Sequence, residues 1–295
     1  MLSSVISSTD KVLVLQNGAY SKRMVEMCDY HGIKYVVYEE DYAHVPDPAI
    51  VEDVLKSDGN ITHISMVHSE TTSGLLNDIA AIGELAKKYN KKFIVDAMSS
   101  FGGVDINVPE LGITYLVSSA NKCIQGVPGF SFIIAKISDL KQTKGIARSL
   151  SLDLYAQWET MEKDGGKWRF TSPTHVVAAF SQALKELAAE GGVTARNARY
   201  TATNRALRKG MEELGFKVYI DEAHQGPIIT TFFYPENCKF TFAKMYAYLK
   251  DNGYVIYPGK LTDAETFRLG NIGEIYMDDV GKILGIFKDF VSAEN

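Results

Sequence analysis

Hydrophobic and polar positions in the first part of the chain follow two alternating periods. Short runs rich in β-branched and aromatic residues, typical of buried strands, cover residues 11–15, 34–38, 63–68, 92–95 and 113–117. Segments with apolar residues at helical spacing lie between them, at 21–31, 49–56 and 77–89. This order of strand and helix predicts an α/β fold, with a mainly parallel sheet and right-handed crossovers that place helices on its faces.

The pattern changes in the last third of the chain. A long amphipathic helix, VVAAFSQALKELAAE, ends at Gly191 and Gly192, which are a stop signal. Beyond it the sequence predicts a helix over 196–214, strands over 216–220 and 228–234, a helix over 242–252 and a terminal helix from residue 278. We therefore predict a large domain over residues 1–190 and a smaller C-terminal α+β domain over residues 191–295.

Composition excludes several classes of function. The 295 residues are 46% hydrophobic and 23% charged, which is typical of a folded globular chain. A net charge of −5 without a basic run argues against nucleic-acid binding, and the absence of a long apolar run or signal peptide predicts a cytoplasmic protein outside the membrane. Three scattered cysteines and six histidines without ligand spacing predict neither a disulfide framework nor a metal site; the cysteines are Cys28, Cys123 and Cys238.

Two polar residues follow neighbouring predicted strands. Asp96 comes directly after the strand at 92–95, and Lys122 follows the strand at 113–117 by way of a short polar stretch. Ligands of open α/β sheets gather at the carboxyl ends of strands. Pyridoxal phosphate requires this pair, because a lysine amine holds it covalently and an acid keeps its pyridinium nitrogen protonated. Taken singly, each residue is more often a cap, a turn or a surface charge.

Seven segments, spread in order along nearly the whole chain, carry a wider resemblance. They are HSETTSG (68–74), VDAMSSFGG (95–103), SSANKCIQGVPG (118–129), SLDLY (151–155), KWRFTSPTH (167–175), VIYPGK (255–260) and FRLGNIGE (267–274). Together they resemble the 2-aminoethylphosphonate–pyruvate transaminase family. The resemblance implies the aspartate-aminotransferase fold of pyridoxal-phosphate-dependent transferases, a homodimer, and exchange of the amino group of 2-aminoethylphosphonate with pyruvate to give phosphonoacetaldehyde and alanine.

The same resemblance implies roles for individual residues around the cofactor. Lys122 and Asp96 would be catalytic, as the cofactor lysine and the partner of the pyridinium nitrogen. Tyr20 matches a position whose aromatic ring stacks on the pyridine, and its alternative is a partly buried loop tyrosine. Thr71 matches a hydroxyl that hydrogen-bonds the cofactor's phenolic oxygen, with a helix-capping role as its alternative.

Two further residues acquire roles outside the ring contacts. Arg268 would bind the phosphonate of the amino donor and later the carboxylate of pyruvate, because a planar guanidinium grips such groups with two parallel hydrogen bonds. An intramolecular salt bridge would satisfy it equally well. Thr171, in the turn RFTSPTH, matches a position that reaches the cofactor phosphate of the neighbouring subunit, which would make each active site a property of the dimer.

The resemblance also predicts a missing portion. Members of the family carry, upstream of the point matched by MLSSVISSTD, a Thr-Pro-Gly-Pro segment and a Gly/Ser-rich loop whose backbone N–H groups cradle the cofactor phosphate. We therefore expect the large domain to be incomplete at its N-terminus. The chain would be a fragment, its start would have been set too late in the sequence, or another polypeptide would supply the missing portion. Gly102, Gly103, Gly126 and Gly129 match other family segments and are predicted to form turns and close-packing sites.

Alternatives from other classes remain. One is a related serine or alanine transaminase that acts with glyoxylate or pyruvate. A cysteine desulfurase is less favoured, because Asn121 stands where such enzymes place a histidine before the cofactor lysine. Another is an inactive fragment of the fold that does not hold the cofactor.

Overall fold

The computed structural model describes residues 1–236, 239–259, 261 and 265–294. Cys238 and Lys260, the last residue of the VIYPGK segment, lie outside the described residues. Helices α1–α10 span Leu2–Val5, Ala19–His31, Pro48–Ser57, Ile79–Lys88, Ile137–Leu140, Leu154–Lys163, Thr174–Glu190, Gly192–Glu213, Phe242–Asp251 and Met277–Glu294. Strands β1–β12 span Lys11–Gln16, Lys34–Glu39, His63–Val67, Ser69–Glu70, Leu75–Leu76, Lys92–Asp96, Ile113–Ser119, Ser131–Ala135, Lys217–Val218, Ile229–Phe233, Tyr257–Pro258 and Thr266–Gly270.

The larger sheet has the strand order β2-β1-β3-β6-β7-β8. Its first five strands pair in parallel, and β8 pairs antiparallel to β7 at the edge. The predicted parallel sheet is confirmed. Sequence patterning did not predict β8 or α6. The run SFIIA in β8 is short, partly buried and without a clear period. Helix α6 has no fully buried residue, so its sequence carries no clear apolar face.

The strands of this sheet are apolar on both faces because helices cover both. On one face Leu13 belongs to a core with Val51 of α3 and Ile82 of α4. On the other face Val14 packs in a core with Met24 of α2. Continuous apolar runs in the sequence, rather than alternating ones, follow from this double burial.

The smaller sheet is antiparallel, with the order β11-β12-β10-β9. Helices α8, α9 and α10 complete a core that is rich in aromatic rings, and the rings of Phe216 and Phe267 lie 5.5 Å apart. This confirms the predicted smaller α+β region. Its strands β9 and β10 are shorter than the predicted 216–220 and 228–234.

Helices α7 and α8 meet at Gly191, whose φ of 109° lies in the left-handed region that glycine adopts without strain. Helix α8 contacts both halves of the chain. Arg196 donates to the carbonyl of Cys123 in the first half, whereas Leu207 lies in the aromatic core of the second half. The division between residues 190 and 191 stays a prediction, and α8 is the element that joins the two cores.

Candidate active site

The ends of β6 and β7 bring the segments that carry Asp96 and Lys122 to one edge of the larger sheet. Asp96 lies opposite Val117 in the parallel register. Near the end of β7, the Ser118 hydroxyl donates to the carbonyl of Ala97, the residue after β6, at 3.1 Å. The Cys123 thiol, next to Lys122, donates to the carbonyl of Ser99 at 3.0 Å. The two loops are therefore tied together at the carboxyl edge of the sheet, where ligands of such folds bind.

A cavity of about 610 Å³ opens at this edge, between the two sheets. Four of the residues expected from the sequence line it: Tyr20, Thr71, Lys122 and Arg268. Its remaining wall comes mainly from α8, α10 and the segments around β10, β11 and β12. The structure thus gathers side chains that are far apart in the sequence.

Lys122 lies on a loop with an unusual backbone. Gln125 has a φ of 64°, a conformation that non-glycine residues adopt only when their surroundings hold them. Its side-chain amide donates to the Tyr200 hydroxyl at 2.8 Å, and its backbone N–H donates to the Lys122 carbonyl at 2.8 Å. The Lys122 side chain is exposed and lines the cavity. Its amine forms no hydrogen bond or ion pair with any described residue.

Close packing between glycine and cysteine also shapes this loop. A Cβ on Gly103 would lie 2.5 Å from the Cys123 sulfur, and a Cβ on Gly126 would lie 2.7 Å from the carbonyl of Ala120. Gly102 has a φ of +88°, and only glycine adopts it freely. The prediction that these glycines form turns and close contacts is confirmed.

Asp96 is not among the residues that line the cavity; its carboxyl group accepts a hydrogen bond from the Met98 N–H at 2.9 Å, at the end of β6. Burial raises the pKa of Asp96 to about 6; the hydrogen bond from the Met98 N–H opposes that rise, and the negative charge of Glu70 adds to it. In the described part of the chain no cationic side chain pairs with this carboxyl group. A positive group placed beside it would relieve the cost of its charge.

The buried carboxylate of Glu70 organises the opposite wall. It accepts hydrogen bonds from the backbone N–H of Ser21 at 3.1 Å and of Tyr20 at 3.4 Å, both in the first turn of α2. The Thr72 hydroxyl donates to the same carboxylate at 2.6 Å. A carboxylate at a helix N-terminus satisfies free N–H groups and interacts favourably with the helix dipole. Glu70 therefore fixes the backbone of both Tyr20 and the HSETTSG segment.

Arg268 is 7% exposed and projects from β12 towards the HSETTSG segment. Its Nη1 donates to the Thr71 carbonyl at 2.8 Å, and its Nε donates to the Pro258 carbonyl at 3.3 Å. Among the described residues no carboxylate forms an ion pair with it. Burial lowers the pKa of the Arg268 guanidinium below its ordinary value. A buried cation without a counter-charge is costly, and an anionic group beside it would lower that cost.

Thr171 is the one expected site residue on the protein surface, outside the cavity. Neighbouring apolar side chains are exposed as well: Phe170 is 52% exposed, Leu150 74% and Leu152 66%. These residues come from two segments on either side of α6, and a group of exposed large apolar residues is typical of an interaction surface.

Sequence reasoning missed some cavity residues. Ser99, Tyr257 and Asn271 line the cavity and had no assigned role. Each lies inside a segment that carries the family resemblance: Ser99 in VDAMSSFGG, Tyr257 in VIYPGK and Asn271 in FRLGNIGE. Their position in these segments is the sequence signal that could have identified them.

Two broader features of the described residues bear on function. No group of three or more His, Cys, Asp or Glu side chains is placed to hold a metal ion. No described helix has both the length and the apolar composition needed to cross a bilayer.

His63 and His68 are buried, and burial lowers the pKa of each to about 4, so both are neutral near pH 7.

Known relatives match the chain over nearly its whole length. It is 55% identical to a bifunctional phosphonoacetaldehyde hydrolase/aminoethylphosphonate transaminase of Clostridioides difficile over 99% of the chain and 46% of that relative. It is also 55% identical to a 2-aminoethylphosphonate–pyruvate transaminase of Klebsiella pneumoniae over 96% of the chain and 77% of that relative. The chain therefore spans under half of the first relative and about three quarters of the second.

Solved structures share the fold. Pyridoxamine-pyruvate aminotransferase from Mesorhizobium loti superposes with a TM-score of 0.90 at 26% identity, covering 99% of this chain and 75% of that one. An aspartate aminotransferase from Thermus thermophilus superposes with a TM-score of 0.88 at 22% identity, covering 100% of this chain and 81% of that one. Residues 1–262 match the family described as Aminotransferase class-V. The chain therefore belongs to the class-V aminotransferase family, in the branch of the 2-aminoethylphosphonate–pyruvate transaminases.

Proposed function

We propose that this chain catalyses the pyridoxal-phosphate-dependent transfer of the amino group of 2-aminoethylphosphonate to pyruvate, giving phosphonoacetaldehyde and L-alanine. The observation that carries the proposal is that one cavity holds both the Lys122 amine and the buried, uncompensated guanidinium of Arg268. Such a cavity suits a substrate with a reacting amino or carbonyl group at one end and an anionic group at the other. The similarity to the 2-aminoethylphosphonate–pyruvate transaminase of Klebsiella pneumoniae and to the bifunctional aminoethylphosphonate transaminase of Clostridioides difficile supports the same reaction.

The side chains at this edge of the sheet fit pyridoxal phosphate. Lys122 would hold the cofactor covalently through its amine, and Asp96 would accept a hydrogen bond from the protonated ring nitrogen. That positive N–H would offset the desolvation that raises the pKa of Asp96. The Tyr20 ring would lie against the pyridine, and Thr71 would donate to its phenolic oxygen. When bound, pyridoxal phosphate supplies the electron sink for the negative charge that develops on the substrate carbon.

Lys122 and Asp96 would then perform the chemical work of the protein. Once the substrate amine has replaced it, the Lys122 amine would act as the base that removes the proton from the carbon bearing the amino group. Asp96, as a carboxylate, would keep the ring nitrogen positively charged, which stabilises the transition state electrostatically. The tied loops at 97–99 and 118–123 hold these two groups in a constant relative position.

Arg268 would bind the anionic end of both substrates in turn. Its bonds to the Thr71 and Pro258 carbonyls orient the guanidinium and use Nε and one hydrogen of Nη1. Nη2 and the second hydrogen of Nη1 are then available for two oxygens of a phosphonate or a carboxylate. One arginine would thereby serve the amino donor and the amino acceptor.

The proposal includes a homodimer in the cytoplasm. The exposed apolar residues beside Thr171 support an interface there, and Thr171 would reach the cofactor phosphate of the partner subunit. Few and scattered cysteines support a reducing compartment.

The test is alanine formation from pyruvate with 2-aminoethylphosphonate as donor, in the chain loaded with pyridoxal phosphate. We expect Lys122→Ala to lose the absorbance of lysine-bound cofactor and to reduce turnover by about 10²- to 10⁴-fold or more, because the proton-carrying base is gone. Lys185→Ala, an exposed lysine of α7, is the matched control and should leave both readouts unchanged.

Normal activity of Lys122→Ala would rule the proposal out. Activity of the unaltered chain with serine or alanine as donor, but none with 2-aminoethylphosphonate, would favour the related serine or alanine transaminase instead. Absence of the cofactor absorbance in the unaltered chain would favour the inactive fragment.

A further inference from the structure

A second cavity, of about 260 Å³, lies on another side of the seam between the two halves of the chain. Helix α8, the segment 222–227 and two residues of the first half, Leu76 and Val104, form its wall. Among the described residues, no side chain lines both this cavity and the larger one. The two cavities are therefore distinct in their lining, although Asn204 of the second contacts Asn271 of the larger one.

Arg208 of α8 is the buried charged group of this second cavity, with 8% of its surface exposed. Its Nε donates to the Asn204 side-chain oxygen at 3.0 Å. The amide nitrogen of Asn204 is committed to the Thr230 hydroxyl at 2.9 Å and to the Asn271 side-chain oxygen at 3.2 Å. The guanidinium is therefore held in one orientation, and Nη1 has no recorded hydrogen bond within the described part of the chain.

The counter-charge of this arginine is loosely placed. Glu222 is 72% exposed and accepts from Arg208 Nη2 at 3.4 Å. The same Glu222 oxygen lies 3.8 Å from Nε of Arg205, which is 68% exposed and also lines the cavity. Both distances exceed those of strong charge-assisted hydrogen bonds, about 2.7–2.9 Å. One exposed carboxylate thus faces two guanidinium groups, which leaves an excess of positive charge on the cavity wall.

We propose that this second cavity binds a small oxyanion, either a phosphate, a phosphonate or a carboxylate. Arg208 is the buried anchor, Arg205 is the second cation, and Glu222 competes with the ligand for both. A guanidinium whose position is fixed by a neighbouring amide loses little side-chain entropy on binding, and its planar fork matches two oxygens of the ligand. The Thr201 hydroxyl, which also lines the cavity, is a further polar contact.

Inorganic phosphate is the probe, titrated by isothermal calorimetry into the full chain carrying Arg268→Gln, so that the guanidinium of the larger cavity contributes nothing. We expect saturable binding that weakens with added salt. Adding Glu222→Gln should tighten binding by about 2- to 5-fold, as expected when a competing exposed ion pair is removed. Adding Arg208→Gln should weaken it by about 10-fold or more, because the buried charge is lost.

Lys209→Gln, which removes an exposed cation of the same helix outside the cavity, is the control and should change nothing. Because Glu222 is exposed, replacing it should leave folding intact. The Glu222→Gln variant therefore tests the proposal even if Arg208→Gln does not fold. Unchanged or weaker binding in Glu222→Gln, unchanged binding in a folded Arg208→Gln, or no binding at all would overturn the proposal. Because the background lacks Arg268, none of these outcomes depends on the transaminase reaction.

Discussion

Two charged residues of the candidate active site, the half-buried Asp96 and the buried Arg268, have no ion-pair partner among the described residues. Asp96 is kept from water by the sheet edge and its pKa is raised, and Arg268 is held by carbonyl groups while its pKa is lowered. Each charge is costly in the chain alone. In the proposed function each charge would be offset by a ligand of opposite charge, a cationic ring nitrogen for Asp96 and an anionic substrate group for Arg268. Both residues would then serve binding rather than stability.

A prediction at the level of this one residue follows from Asp96. The folded chain binds the carboxyl proton more tightly than the unfolded chain, because the pKa of Asp96 is about 6 against an ordinary 3.8. Its contribution to stability is therefore complete below pH 3.8 and is lost as the pH rises to about 6. We expect Asp96→Asn, measured by urea unfolding without cofactor, to be more stable than the unaltered chain at pH 8 by about 1–3 kcal/mol.

The difference should vanish near pH 4, where both side chains are neutral. With pyridoxal phosphate present the order should reverse, since only the carboxylate stabilises a protonated ring nitrogen. An Asp96→Asn chain that is less stable than the unaltered chain at pH 8 without cofactor would contradict this account.

Helix α2 depends for its start on a residue far along the chain. Gly18, at its N-cap, offers no side chain, and Glu70 caps the free N–H groups instead. Space for that carboxylate exists only because residue 18 is glycine: a Cβ there would lie 2.1 Å from the Glu70 Cγ. The position of Tyr20 therefore depends on a contact between two segments 52 residues apart by number, Gly18 and Glu70.

We predict that Gly18→Ala displaces the Glu70 carboxylate and destabilises the chain by about 1–3 kcal/mol, as overpacking usually does. Affinity for pyridoxal phosphate, followed by fluorescence titration, should fall with it, because the first turn of α2 carries Tyr20. Gly59→Ala is the control, since nothing lies within 4 Å of its Cβ position. Equal cofactor affinity in Gly18→Ala and Gly59→Ala would show that Glu70 does not position this wall.

At the scale of the whole molecule, α8 holds the loop that carries Lys122 against the second half of the chain. Arg196 is 1% exposed and donates from Nη1 to the Cys123 carbonyl at 2.8 Å. It also pairs with Glu190, which Arg199 contacts at 2.8 Å. Burial works to raise the pKa of Glu190, but the hydrogen bonds from Arg199 and Arg196 lower it overall. The loop carrying Lys122 is thus connected to the end of α7 and the start of α8.

Arg196→Met should therefore destabilise the chain by about 3 kcal/mol, the scale seen when one partner of a buried ion pair is removed. Thermal unfolding of Arg196→Met measures this, with Lys209→Gln on the same helix as the control. The pairing should weaken in acid, because a carboxyl group whose pKa is lowered by folding loses its stabilising effect as it protonates. The difference in stability between Arg196→Met and the unaltered chain should become smaller below about pH 4. A difference in stability that does not change with pH would contradict the ion-pair explanation.

The sequence by itself determined the elements whose signals are local. The strands leading to Asp96 and Lys122 and the helix stop at Gly191 all depend on neighbours in the chain. The structure has these elements, with β6 extended by one residue to Asp96 and β7 by two residues to Ser119. Local patterning also predicted a parallel sheet, because runs apolar at every position require cover on both faces.

Tertiary structure alone decided which of these segments meet. Arg268 contacts the carbonyl of Thr71 across 197 positions of sequence, and no local pattern specifies that contact. The raised pKa of Asp96, the capping of α2 by Glu70 and the second cavity beside Arg208 likewise arise from burial by distant segments. Burial and long-range hydrogen bonds depend on how whole layers pack, so they become visible only when the chain is folded.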